Sequence, residues 1–208
     1  MLAKRDSPSW NAQTRRVIDE RLAIRPDEHR FLTDVEWATL KAVCARIVPQ
    51  PPERIRPAPI AAMIDRKVGA NGGDGYRDAR LPPLGEAWRR ALCALDAEAL
   101  ARRSCPFSNM SYAEQDALLG AVQTGEARGP SWGDMPPQLF FAKRLLHDIL
   151  SAYYADPHAW NEIGFGGPAS PRGYVRMNYD RRDPWEASEA HPGHEAQALR
   201  ENARVGRR

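Results

Sequence analysis

The stretch QLFFAKRLLHDILSAYYADPHAWNEIGFGGPASPRGYVRMNY, residues 138–179, contains both a helix and the point at which helical patterning stops. Leu139, Ala142, Leu146, Ile149, Leu150 and Tyr153 recur at helical spacing and lay down one apolar stripe, with Lys143, Arg144, His147, Asp148 and Ser151 on the wet side. Asp156-Pro157 ends that helix, because the residue before a proline is pushed out of the α region. Beyond it, Trp160, Ile163, Phe165, Tyr174, Val175, Met177 and Tyr179 are interleaved with Gly164, Gly166, Gly167 and Pro168. Neither helix nor strand suits that mixture, apart from a weak alternation over residues 174–179. A long irregular segment with so much aromatic surface is uncommon inside a compact domain and is usually functional. Large rings anchor protein interfaces, and glycine lets a partner's backbone approach closely. The segment therefore reads as an arm that docks on another protein. Its contact residues are Tyr153, Tyr154, Trp160, Asn161, Ile163, Gly164, Phe165, Gly166, Gly167, Pro168, Tyr174 and Arg176. Tyr153 and Tyr154 are neighbours on a helix and cannot both face one core. The competing reading folds Trp160, Ile163 and Phe165 back as a lid over the last helix.

Upstream, Thr33-Asp-Val-Glu36 is a capping box, with Leu32 and Trp37 at the staple positions. Trp37, Leu40, Cys44 and Ile47 continue it as a helix that Pro49 closes. Residues 49–59 are rich in proline and form a stiff surface connection to a short helix over residues 60–68, which Gly69 caps. Residues 71–75 are a flexible break with too few carboxylates for a calcium loop. Leu84, Trp88, Ala91, Leu92 and Leu95 line one side of a third helix over about 84–103. Ser111-Tyr-Ala-Glu114 is a second capping box, opening a helix that runs to Gly125. Residues 125–137 are again a loop, carrying Trp132. The predicted architecture is all-α: a bundle of about five helices with an extended irregular C-terminal arm. Its divisions are a polar N-terminal extension over 1–30, the helical domain over 31–155, the docking arm over 156–185, and a charged, disordered tail over 186–208.

A chain of 208 residues suffices for one domain with a real core. Hydrophobic content of 42% with 27% charged residues is ordinary for a globule, and a formal charge of +3 is mild. A nucleic-acid reader is expected to show a basic stripe or a recognisable module, and neither is present. Residues 1–30 lack the apolar run of ~7–15 residues that a signal peptide needs, so the expected location is cytoplasmic, or periplasmic if a partner leads export. No direct membrane insertion is expected. Of the three cysteines, Cys44 and Cys93 read as buried small hydrophobes, and Cys105 lies in a loop where it could cross-link to a partner.

The helix with paired aromatics, the Tyr-x-Asp-Pro step and the Ile-Gly-Phe-Gly-Gly-Pro run resemble the end of the gluconate 2-dehydrogenase subunit 3 family. That family's first block is similar to residues 31–40 with Cys44, Arg46, Ile47 and Pro49 behind them. Its middle block resembles residues 94–96 and 112–119. The matches cover about 31–168, in the family's order. Two departures are visible: His158-Ala-Trp-Asn161 stands where a glycine-asparagine step is expected, and no export signal precedes the domain. The resemblance implies a small, helical, non-catalytic subunit that accompanies a flavin-dependent dehydrogenase of the glucose-methanol-choline type. It places FAD on that partner and admits a cytochrome c subunit as a third component.

The chain's own chemistry is thin. His147, Asp148, Asp156, His158 and Glu162 make a metal site only on paper, since His147 and Asp148 are adjacent on a helix and point about 100° apart. His191 and His194 fall in the charged tail, where a metal would have to order the chain. Residues 164–168 fail as a dinucleotide loop, because no strand precedes them and Pro168 and Pro171 forbid the helix that would hold the phosphates. No catalytic residue, cofactor site or metal site is assigned. The leading expectation is an accessory subunit that binds and stabilises a flavin-dependent sugar or glycoside dehydrogenase. The alternatives are a self-sufficient helical metalloenzyme and a helical adaptor with another protein target.

Overall fold

A computed structural model describes residues 1–7, 9–73, 75–168, 183, 186–188 and 190–204. The helices in chain order are α1 (Ala12–Leu22), α2 (Asp34–Ile47), α3 (Ile60–Gly69), α4 (Leu84–Arg103), α5 (Tyr112–Thr124), α6 (Pro137–Phe140), α7 (Leu146–Ala155), α8 (Pro157–Glu162) and α9 (Glu195–Asn202). A π-helical turn, Phe141–Leu145, joins α6 to α7, and 3-10 turns occur at Leu2–Lys4, Phe107–Asn109 and Pro130–Trp132. Among the described residues there is no strand. The weak alternation over 174–179 lies outside them.

The chain forms two units, one from Arg25–Tyr153 and one from the two chain ends, Met1–Ile24 with Tyr154–Arg208. The first unit is the expected bundle of about five helices, counting α6, the π turn and α7 as one. Both capping boxes form: Thr33 accepts from the Glu36 amide and Ser111 from the Glu114 amide, while each glutamate reaches back to the cap's own N–H. Two of the amides that a helix start leaves without partners are thereby satisfied at α2 and α5. Gly125 ends α5 in the left-handed conformation at φ 79°. α4 packs against α2, α3, α5 and α6. Its Trp88 lies edge-on to Phe140, with ring centroids 5.3 Å apart, and Trp132 tilts onto the same Phe140. These rings, with Leu40, Ile64, Leu92, Leu95, Phe107 and Leu118, are buried. Each such side chain contributes about 1.5–3 kcal/mol by leaving water.

Buried polar groups hold the connections in place. The Asp65 carboxylate, with no exposed surface, accepts from the amides of Arg30, Phe31 and Leu32 and so fixes the approach to α2. Thr39 and the Phe107 amide both donate to Asp96. Gly69 lies inside α3, whose cap is Ala70, and not at the cap position predicted for it. A Cβ at Gly69 would stand 3.0 Å from the Phe31 Cβ, so the residue is needed for close packing.

The face predicted for the helix around residues 138–155 is displaced. Phe140, Phe141, Arg144, Leu145, Asp148, Ile149 and Ala152 are buried, whereas Ala142 is exposed. A π turn inserts an extra residue into the helical repeat and rotates whatever follows it. Arg144 and Asp148, expected on the wet side, are therefore internal; an Arg144 Nη donates to the Tyr76 carbonyl.

The second unit corrects three further expectations. Residues 1–30 are not a plain polar extension, because α1 and the Leu2–Lys4 turn are built from them. The chain after Asp156 is helical through Glu162: Asp156 accepts from the amides of His158 and Ala159, and Pro157 occupies the first helical position, which suits its fixed φ. The tail is not wholly irregular, since α9 packs on the Leu2–Lys4 turn. There the Asn202 amide donates to the carbonyls of Ala3 and Ser188 and its oxygen accepts from the Ser188 amide.

Candidate functional site

The unit built from the chain ends has a small core of Met1, Trp10, Ile18 and Trp160, with Leu2 and Leu22 packed against it. Trp160 is 5% exposed. Its indole N–H donates to the Tyr154 carbonyl, the Arg21 guanidinium lies over its ring, and Phe165 meets it edge-on with centroids 5.5 Å apart. The glycine run is tied to the N-terminal segment by its carbonyls. Lys4 Nζ donates to Gly166 O at 2.9 Å, and Trp10 Nε1 donates to Pro168 O at 2.8 Å. Gly167 is buried at φ 81°, and a Cβ there would come within 2.6 Å of Met1 Cγ. Only glycine meets both demands.

Trp160, Gly166, Gly167 and Pro168 were expected to contact a partner, and here they pack or hydrogen-bond within their own unit. The Trp160 ring closes over the N-terminal segment of its own unit, against Trp10 and Ile18. The other expected contact residues divide differently. Tyr154 is 48% exposed, Ile163 52% and Phe165 38%, so much of their apolar surface faces solvent. Gly164, exposed at φ 70°, turns the chain between the last two. Asn161 falls within α8. Tyr153 belongs to the other unit, where it is half-buried beneath the Arg54 guanidinium, 5.7 Å from its ring centroid. Tyr174 and Arg176 lie outside the described residues.

Beside Phe165 a cleft of about 550 Å³ opens between the arm, the Leu2–Lys4 turn and α9, with Leu199 and His191 on its far wall. Leu199 is 53% exposed and adds an apolar residue that the sequence reading missed. Its available signal was Leu199 as the one large apolar side chain in an otherwise small or polar octet, next to Ala198, which turns inward.

The paper metal set is dispersed into structural roles. Asp148 accepts from Lys67 Nζ at 2.9 Å and from Trp88 Nε1 at 2.9 Å, with His147 Nδ1 at 3.2 Å from the same carboxylate. Asp156 caps α8. Among the described residues no three His, Cys, Asp or Glu side chains gather as a metal group. Cys44 is buried, and burial pushes its thiol far up from the ordinary value. Cys93 is exposed and not buried as expected, and partial desolvation, with Glu36 and Asp96 nearby, raises its thiol too. Neither is poised as a thiolate nucleophile. Among the described residues no helix is long and apolar enough to cross a membrane.

What remains is a surface suited to contact, with exposed aromatic and aliphatic side chains on a backbone fixed from behind by buried tryptophans. Residues 34–167 match the family model described as gluconate 2-dehydrogenase subunit 3. No curated protein and no solved structure matches the chain. The match takes in the Ser111 capping box, every helix from α2 to α8 and the glycine run through Gly167, and the chain belongs to the gluconate 2-dehydrogenase subunit 3 family.

Proposed function

We propose that this chain is the non-catalytic small subunit of a dehydrogenase complex whose large chain is an FAD-dependent sugar or glycoside dehydrogenase of the glucose-methanol-choline type. The observation that carries the reading is membership of a family of dehydrogenase subunits in a chain that leaves Tyr154, Ile163 and Phe165 exposed on a pre-organised backbone. Its contribution is physical. A partner that binds only the folded large chain raises that chain's stability by mass action. Rings held in place before binding lose little entropy on contact, which favours affinity. The flavin and the hydride chemistry belong to the large chain in this reading, and a cytochrome c subunit is an optional third member.

The test is co-expression with a flavin-dependent dehydrogenase of the glucose-methanol-choline type from the same genome, followed by size exclusion with flavin absorbance. The expected result is a one-to-one yellow complex, and a poorly soluble or inactive large chain when this subunit is omitted. Changing Phe165 and Tyr154 together to aspartate is expected to weaken the complex by at least about 2 kcal/mol, the scale of interface anchors. A large chain that is soluble and fully active alone, with no co-elution, would end the proposal.

A further inference from the structure

Residues 50–58, QPPERIRPA, form a closed loop in the Arg25–Tyr153 unit with an isoleucine at its apex. The base is shut by a pair of side-chain bonds: Gln50 Nε2 donates to Ala58 O at 3.0 Å, and the Ala58 amide donates to Gln50 Oε1 at 2.7 Å. Inside, the Arg54 amide donates to Pro51 O at 3.0 Å, and Arg54 Nε donates to Arg56 O at 3.2 Å. The Arg54 guanidinium then spreads over the Tyr153 ring and reaches its hydroxyl at 3.5 Å, which pins the loop to the end of α7. Pro51, Pro52 and Pro57 restrict the backbone further. Compact loops with touching ends and internal packing are frequently functional.

Everything in this construction holds Ile55 out into water, 95% exposed. Nothing within the unit gains from an isoleucine there, since the side chain buries no surface. Ile55 is flanked by Arg54 and Arg56, and the Arg56 guanidinium makes no hydrogen bond or ion pair among the described residues. A second copy of this chain would set arginine against arginine around the same apex, which disfavours self-association. A different protein with carboxylates around an apolar hollow meets both demands.

Resting on the reading under Proposed function, we infer that the 50–58 loop is an anchor for the flavoprotein chain: Ile55 enters an apolar pocket of that chain, and Arg56 pairs with an acidic residue on its rim. The loop is rigid before contact, so little ordering opposes binding. The centre of such a contact is a desolvated aliphatic side chain, and the charge at its edge acts mainly on the rate of encounter.

The test is affinity measurement between the purified 208-residue chain and that flavin-dependent dehydrogenase. Ile55→Asp is expected to weaken binding at least about thirtyfold, and Ile55→Val less than about threefold. Arg56→Glu is expected to slow association about tenfold at low salt, with the gap closing at high salt. The isolated Ile55→Asp chain should melt where the unmodified chain does, because its side chain contributes no packing. Ile55→Asp binding within about threefold of the unmodified chain, while the Tyr154 and Phe165 double variant is released, overturns the loop anchor and leaves the subunit reading standing. An unmodified chain that never binds the flavoprotein overturns both. A homodimer that Ile55→Asp dissolves also overturns the anchor, since the occupant would then be a second copy.

Discussion

Asp148 has no side-chain surface in water, yet it faces Lys67 and the Trp88 indole, while His147 beside it stays half exposed. Removing one partner of a buried pair leaves the other with its desolvation uncompensated, which generally costs 3–5 kcal/mol. Lys67 keeps a quarter of its side chain in solvent and can recover part of that loss. Asp148→Ala is therefore expected to destabilise the chain by about 3 kcal/mol, and Asp148→Asn by about half as much, because the amide oxygen still accepts from Trp88. Denaturant unfolding with an unchanged slope checks both values, and a shift under about 0.5 kcal/mol would remove Asp148 from the core's polar network. The sequence could not reveal this residue, since a lone aspartate beside a histidine reads as a solvated pair. Its burial depends on where Trp88 and Lys67 arrive from α4 and α3. Asp65 is concealed for the same reason, since its three amide partners lie in a segment more than thirty residues away in sequence.

Elements with a local cause were legible and those with a distant cause were not. α2 and α5 follow from the Thr33 and Ser111 boxes, α4 from the spacing of Trp88, Ala91, Leu92 and Leu95, and the end of α5 from Gly125. The π turn has no comparable local signature, and one inserted residue sufficed to displace the expected stripe onto the flank of the buried face. α8 carried a signal that admits two readings, because Asp-Pro both closes one helix and supplies the cap and first residue of the next. Asp156 is buried and accepts from two amides, so Asp156→Ala should cost about 1 kcal/mol, in the range of lost N-caps. Amide exchange at His158 and Ala159 should quicken, and Trp160 emission should shift toward that of a wetter indole. Unchanged exchange at those two amides would show that Pro157 alone sustains the turn. Of the residues expected to contact a partner, Tyr154 at a helix end and Ile163 and Phe165 beside the glycines are exposed. The inward position of Trp160 was hidden because its partners, Trp10 and Ile18, sit at the opposite end of the chain.

The family match begins at residue 34, yet the unit that displays Tyr154, Ile163 and Phe165 takes its core from Met1, Trp10 and Ile18. The segment before the match is thus structural for the part of the chain expected to meet the partner. Trp10 and Ile18, 2% and 1% exposed, each contribute about 1.5–3 kcal/mol through burial, and Trp10 also holds Pro168. Deleting residues 1–24 removes both, together with the Lys4 bond to Gly166. The Arg25–Tyr153 unit retains both capping boxes and its own aromatic core, so its cooperative transition should persist. Trp160 should instead become accessible to a collisional quencher, and amide exchange across residues 157–168 should approach the unprotected rate. Binding to the proposed flavoprotein partner should weaken by more than in the Phe165 and Tyr154 double variant alone, because every contact on that unit must then be ordered during association. Retained protection across 157–168 after the deletion would mean that the arm is held by something other than Trp10 and Ile18, and would detach the N-terminal segment from any part in recognition.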